Sequence, residues 1–167
     1  MGEQLTRSDV KKIEEEIEYR KVVKRYELLD SVKEARAHGD LSENFEYHAA
    51  KREKNQNESR IRYLERMLKN AEIIDDSSKD DEVGINNTVE IYIEEDDEVE
   101  SYRLVTSIRG DALNGLVSIE SPIGKALLGR KVGERVTIHV NDNYSYDAII
   151  RNIIKTNDDS NDRIRQF

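Results

Sequence analysis

The sequence has no cysteine, no tryptophan, a single proline and only eight glycines in 167 residues. Without cysteine there is neither a disulfide framework nor a thiolate zinc site, and a cytoplasmic location is the default expectation. No apolar run approaches the roughly 18 residues needed to cross a bilayer, and the N-terminus lacks a signal-peptide core, so no membrane partner is expected. Hydrophobic residues make up 36% and charged residues 38%. That is too polar for one compact core and suits long solvated helices attached to a modest domain. The net charge of −9 argues against a general nucleic-acid coat, but it is unevenly spread. Residues 1–74 balance 16 Lys/Arg against 16 Asp/Glu, whereas residues 75–167 hold 11 against 20, so 11 − 20 = −9. Any nucleic-acid contact therefore belongs to local basic patches in the first half.

What is present begins with a long helical pattern. Thr6, Ser8 or Asp9 can cap it, Ser8 and Asp9 lying closest to the first apolar residue. Val10, Ile13 and Ile17 recur at helical spacing, as do Leu28, Val32 and Ala35. Between them the same face carries Lys21 and Lys24, while Tyr19, Val22, Val23 and Tyr26 displace the apolar stripe sideways. The helix is expected either to bend there or to pack against more than one surface. About 28 residues without glycine or proline would extend roughly 40 Å. A second helix, predicted to start near Asp40 to Asn44 and to run to about Ile74, carries Tyr47, Ala50, Lys54, Asn57, Ile61, Leu64, Leu68 and Ala71 at heptad spacing. Its seam is apolar at the base and polar toward the turn. Residues 1–74 thus read as an antiparallel helical hairpin, with its turn at 39–44.

Residues 75–82, from Asp75 to Glu82, contain no apolar side chain and read as an acidic linker. Beyond it the period changes to two, as in Val89, Ile91, Ile93 and again in Val136, Ile138, Val140. Five or six short strands over 83–155 predict a small antiparallel β domain, interrupted at Ser121 to Leu128 by a short helix. Residues 156–167 are expected to be a frayed, flexible tail.

The turn carries Asp40 and Glu43, three residues apart. On spacing alone this is a capping box that starts the second helix, with Gly39 ending the first. Ionised carboxylates at the end of a long arm can also coordinate a hard cation such as Mg²⁺, but two ligands fall short of the six oxygens it takes. Such a site would be completed by another macromolecule. His38 and His48 flank the turn without metal-site helical spacing, and a convex tip offers no cleft for a glycosidase-like acid pair. Lys33, Arg36, Lys51 and Arg52 form either an ordinary solvated face or a phosphate-contacting patch. Tyr47 can stack on a base or pack across the hairpin, and Phe45 must dock on something or fold back on the arm.

The stretch Glu34-Ala-Arg-Ala-His-Gly-Asp-Leu-Ser-Glu-Asn-Phe-Glu-Tyr-His-Ala-Ala-Lys51 closely resembles the tip of the bacterial Gre transcript-cleavage factors, GreA type. Ser121-Pro-Ile-Gly-Lys-Ala-Leu-Leu-Gly-Arg-Lys-Val-Gly133 resembles that family's second signature, in matching order and separation. The resemblance covers about residues 5–155. It implies an α+β protein, an antiparallel coiled-coil hairpin followed by an FKBP-like antiparallel β domain with a short helix. It further implies a monomeric, cytoplasmic transcription elongation factor that is not itself an enzyme. The coiled coil would enter the secondary channel of bacterial RNA polymerase and stimulate the polymerase to hydrolyse the 3′ end of backtracked RNA. Asp40 and Glu43 match the family's tip acids, which would help hold a second Mg²⁺ shared with the polymerase. Asn44 and Tyr47 match tip positions implied in local geometry or RNA contact. Arg36, Lys51 and Arg52 would meet the extruded RNA, and Ser121, Pro122, Ile123, Gly124 and Lys125 would help dock the polymerase. Three positions depart from the family pattern: Phe45 replaces a usual alanine, Tyr26 a frequent proline and Arg20 a common leucine. Tyr26 and Arg20 bear on the bend of the arm, and Phe45 alone leaves open a channel occupant that does not promote cleavage. A prolyl isomerase is a weaker third reading, resting on fold analogy.

Overall fold

The structure is a computed structural model that describes residues 2–39, 44–156 and 158–166. The chain divides into two compact units: a helical one comprising Met1–Glu3 and Val10–Glu72, and a sheet unit comprising Gln4–Asp9 and Ile73–Phe167.

In the helical unit the first arm consists of α1 (Arg7–Tyr19), a π-helical segment (Arg20–Lys24) and α2 (Arg25–Ala37). The second arm is one uninterrupted helix, α3 (Phe45–Asn70). Leu28 and Ala35 are buried toward the tip and Ile61 and Leu64 of α3 toward the base, in line with the expected seam, but there Met67 is buried while Leu68 and Ala71 are half-buried. Between these apolar stretches lies a polar layer that the sequence pattern did not disclose. Arg25 N–H donates to the Arg20 carbonyl five residues back, the signature of the wider π turn. Asn57 donates to that carbonyl at 3.2 Å and accepts from Arg20 Nη1 at 2.9 Å. Glu16 accepts from Arg20 Nε at 2.7 Å and from Arg60 Nε at 2.9 Å. The stripe that slides sideways in the sequence therefore has a local cause. At this level the seam is filled by paired charges, and Tyr19, Val22, Val23 and Tyr26 remain exposed. Arg25 and Lys21 add ion pairs across the arms to Glu58 and Glu65.

Burial of Glu16 alone would raise its carboxyl, but hydrogen bonds and charge from Arg60 and Arg20 outweigh that and hold it below the ordinary carboxylate range. A depressed folded-state value means stability present above the unfolded value and lost as pH falls through the folded one. Acidification below about pH 4 is thus expected to lower the melting temperature of the hairpin. The pH slope of circular-dichroism melts should flatten in Glu16→Gln, and an unchanged slope would contradict the assignment.

The second helix stops at Asn70 and not near Ile74. Ala71 is already extended, and the following backbone forms a two-stranded ribbon, β1 (Gln4–Leu5) with β2 (Glu72–Ile73). In it Glu72 N–H donates to the Glu3 carbonyl and Ile74 N–H to that of Leu5.

The sheet unit is built on β3 (Thr88–Ile93), β4 (Glu98–Val105), β5 (Leu116–Ser118), β6 (Arg135–Asn141) and β7 (Tyr144–Ile154), in the spatial order β5-β4-β3-β7-β6. Strict alternation on central β3 buries Val89, Ile91 and Ile93 on one face. Leu104, Ile138, Ala148, Ile150 and Leu127 of α4 (Pro122–Leu127) complete that core. All pairings are antiparallel except one edge, where β5 lies parallel to β4. The connection there is no hairpin. Two short 3₁₀ turns, Ser107–Arg109 and Ala112–Asn114, carry the chain back before it re-enters the sheet.

Three boundaries expected from composition are corrected. Gln4–Asp9 group with the sheet unit and not with the hairpin. Thr6 and Asp9 form a reciprocal capping box, Thr6 N–H to Asp9 Oδ2 and Asp9 N–H to Thr6 Oγ1, so Thr6 is the cap. Asp9 then accepts from Thr106 Oγ1 at 2.7 Å and pairs with the fully buried Arg109. Residues 75–82 are acidic but not a free linker. Lys155 Nζ donates to Ser78 Oγ, to the carbonyls of Lys79 and Glu82, and to Asn87 Oδ1, holding the segment on the sheet. The described part of 156–167 is likewise docked. Asp162 pairs with Arg103 and Arg109, Arg165 N–H donates to the Ile108 carbonyl, and Ile164 is buried. Polarity misleads at this end because carboxylates in the segment are the partners of arginines 50 to 60 residues away.

Candidate functional site

The expected site lies where the two arms join. Asp40 and Glu43, with Leu41 and Ser42, lie outside the described residues. The residues on either side are described, and they fix where the two helices end. The α2 helix closes at Ala37, with His38 N–H donating to the Ala35 carbonyl. Gly39 follows at φ 152°, open to solvent around its Cα, so its backbone angle and not lack of space calls for glycine.

The cap of α3 is Asn44, which corrects the expected capping box: the helix begins at Phe45, after both acids. Asn44 Oδ1 accepts from Tyr47 N–H at 3.0 Å, and Nδ2 donates to the Ala35 carbonyl at 2.6 Å. One amide satisfies an orphan N–H of the helix that starts and a carbonyl of the helix that ends. An ionised carboxylate, which only accepts, could not do both.

Tyr47 packs across the hairpin. The Arg36 guanidinium lies 5.5 Å from its ring centroid, Arg36 Nη2 donates to its hydroxyl at 3.4 Å, and the His48 ring meets it edge-on at 5.4 Å. The hydrogen bond from Arg36 outweighs the opposing effect of burial and, with a smaller contribution from the charge of Lys51, holds the Tyr47 phenol below its ordinary value. Lys33, Arg36, Lys51 and Arg52 are all exposed. His38 faces Glu46 at 3.6 Å, and among the described residues no group of three or more His, Asp or Glu could hold a metal ion. Phe45 is 86% exposed.

The second signature builds α4 and its approach. Ser121 caps the helix, its Oγ accepting from Gly124 N–H at 3.0 Å and donating to the Ser118 carbonyl at 2.6 Å. Pro122 occupies the first helical turn, where a missing N–H costs nothing. Of the five expected docking residues, Pro122 and Lys125 are exposed, Ser121 and Ile123 half-buried, and Gly124 buried. Ile123 packs against the core. Alongside Pro122 and Lys125 runs a groove of about 450 Å³, lined also by Arg130, Arg135, Val136 and His139. The motif thus presents an edge where Lys125 and Arg130 meet Arg135 of β6, with Arg130 paired to Glu134 and Arg135 to Glu94 and Asp147, and its apolar members seat the helix. Arg130 lies within the second signature, whereas Arg135 and His139 were not singled out in the sequence. They come together here because β6 passes beside α4, which no local pattern reveals.

Two family models match the chain. "Transcription elongation factor, N-terminal" covers residues 3–73, and "Transcription elongation factor, GreA/GreB, C-term" covers residues 78–155. The chain is 52% identical over 137 residues to the transcription elongation factor GreA of Caldanaerobacter subterraneus subsp. tengcongensis, which spans 81% of this chain and 87% of that one. It matches the GreA of Thermoanaerobacter pseudethanolicus at the same identity and coverage. Among solved structures, GreA factor homolog 1 of Thermus thermophilus is similar at 25% identity and a TM-score of 0.42, over 93% of this chain and 100% of that one.

Proposed function

Because the chain belongs to the GreA/GreB family of transcription elongation factors, we propose that it binds RNA polymerase, inserts its hairpin into the secondary channel, and stimulates hydrolysis of the 3′ end of backtracked RNA. The observation that carries this reading is the Asn44 clasp. It joins the ends of the two long helices that flank Asp40 and Glu43 in the sequence, and it gives the cap of the second helix to Asn44.

Two carboxylates are hard oxygen donors suited to Mg²⁺, yet too few to hold it alone, so the polymerase completes the coordination and the reaction is the polymerase's own. The bound cation supplies Lewis-acid activation of the attacking water. Asp40 and Glu43 would help hold that cation and orient the water. Asn44 and Tyr47 fix the geometry of the turn, while Arg36, Lys51 and Arg52 face the RNA phosphates. The Pro122–Lys125 edge would rest on the polymerase at the channel rim.

The test is release of short 3′ RNA fragments from stalled, backtracked elongation complexes. Wild-type protein should accelerate release. Asp40→Ala and Glu43→Ala should each reduce the acceleration about 100-fold, the usual loss on removing one group that stabilises a transition state. Both variants should still compete with wild type for polymerase. Fragment release undiminished by the two changes would overturn the mechanism. Competition without any fragment release by wild type would leave a channel-binding modulator.

A further inference from the structure

At this end of the hairpin Phe45 is the aromatic side chain left without a packing role. It is the first residue of α3, directly after the Asn44 cap, and 86% exposed. Single exposed apolar residues are common and decide nothing alone. What decides here is the state of its neighbour. Tyr47, the other aromatic able to meet a base, has the Arg36 guanidinium over its ring, the His48 ring at its edge, and its hydroxyl bonded to Arg36. On the face that Arg36 covers, a base could stack on Tyr47 only after displacing a cation that is already well placed. Phe45 does not fold back on the arm, and the residues on either side of it, Asn44 and Glu46, are polar. An isolated ring makes a poor anchor for a protein partner, whose hot spots sit in packed apolar pockets. It makes a good one for a nucleobase. The exposed cations Lys33, Arg36, Lys51 and Arg52 stand on the adjoining turns of α2 and α3. An aromatic face beside cations that track a backbone is the combination by which proteins hold single-stranded nucleic acid.

We propose that Phe45 is the base-stacking residue of the hairpin tip, its ring lying against a nucleobase of the extruded single-stranded RNA while the neighbouring cations meet the phosphates. This rests on the cleavage-factor reading, since that reading is what brings RNA to the tip. It assigns Phe45 a direct contact with substrate, and it makes the protein sensitive to the presence of a base and not only to the sugar-phosphate chain.

The experiment compares backtracked elongation complexes whose extruded 3′ nucleotides carry bases with matched complexes whose extruded nucleotides are abasic. Wild type should cleave the base-bearing RNA about tenfold faster than the abasic RNA at subsaturating concentration, as the loss of one stacking contact implies. Phe45→Ala and Phe45→Leu should both lose that difference by slowing on base-bearing RNA only. Phe45→Trp should retain it. The leucine variant keeps apolar bulk at an exposed position, so its failure reports lost stacking and not lost folding. Equal slowing on both RNAs would mean that Phe45 touches the polymerase, and no slowing that it touches nothing. Either result overturns the proposal while leaving the cleavage reading intact. Absence of fragment release by wild type itself would instead overturn the reading, and the proposal with it.

Discussion

Arg109→Met is expected to lower the stability of the sheet unit by about 3 kcal/mol, the low end of the cost of removing one partner from a buried ion pair. Arg109 and Asp9 are both 0% exposed, and the guanidinium also bonds Asp162 at 2.7 Å and Asn86 at 2.8 Å. Methionine fills the space but leaves the Asp9 carboxylate buried with only Thr6 N–H and Thr106 Oγ1 as donors. The low end is chosen because Arg109 Nη2 finds no acceptor among the described residues, so the wild-type cluster is itself incompletely satisfied. For a unit of this size the loss corresponds to a fall in melting temperature on the order of 15 °C. Differential scanning calorimetry of the whole chain should show it in one transition, with the hairpin's own transition much less affected. Adding Asp9→Asn to Arg109→Met should recover part of the loss, because the stranded charge is then gone while Asp162 keeps Arg103 as its partner. A fall of less than about 1 kcal/mol in the single variant would show that the cluster is a surface-like pair of little worth.

That cluster also marks the limit of what could be read without coordinates. The two arms, their heptad seam and the alternating strands were legible because each is a periodic pattern whose signal repeats over many residues. The α4 helix was legible from Pro122 and the apolar run after it. Arg109 was not, since it sits in a short 3₁₀ turn and finds its partners 100 residues before and 53 residues after it. Lys155 similarly converts an apparent linker into a bound segment. Acidic composition describes the segment alone, whereas binding depends on a cation contributed from elsewhere.

The same division runs through the candidate site. Asp40, Glu43 and the surrounding cations were visible as residue types in sequence. The division of labour among Asn44, Phe45 and Tyr47 was not, because it turns on which side chain crosses to the other arm. Spacing assigned the cap to Asp40 by the usual capping-box rule. Asn44 takes it because an amide can donate to Ala35 as well as accept from Tyr47. Likewise the π-helical segment was visible only as a disturbed stripe. Its cause, an asparagine bonding a carbonyl on the facing arm, is a tertiary contact.

Gly124→Ala should separate docking from chemistry. A Cβ there would lie 2.0 Å from the Ser118 carbonyl oxygen and 2.7 Å from Ile119 Cα, both backbone atoms of the sheet edge and its continuation. Backbone cannot swing aside as a side-chain end can, so α4 must lift away from its seat. The cost is expected at about 3 kcal/mol, the upper part of the range for overpacking a core. Lifting α4 also displaces Pro122 and Lys125 from the groove formed with Arg130, Arg135 and His139. If that edge holds the polymerase, the concentration giving half-maximal fragment release should rise at least tenfold. The rate at saturation should stay near wild type, because Asp40 and Glu43 are untouched. Lys125→Ala provides the comparison without strain: it removes one exposed cation, leaves Gly124 seated, and should raise the half-maximal concentration alone with no change in melting temperature. A Gly124→Ala protein that melts lower yet needs no more protein for half-maximal release would place the docking edge elsewhere on the sheet unit. Equal loss of saturating rate in both variants would mean that the α4 edge acts beyond docking, contrary to the division of roles between tip and sheet.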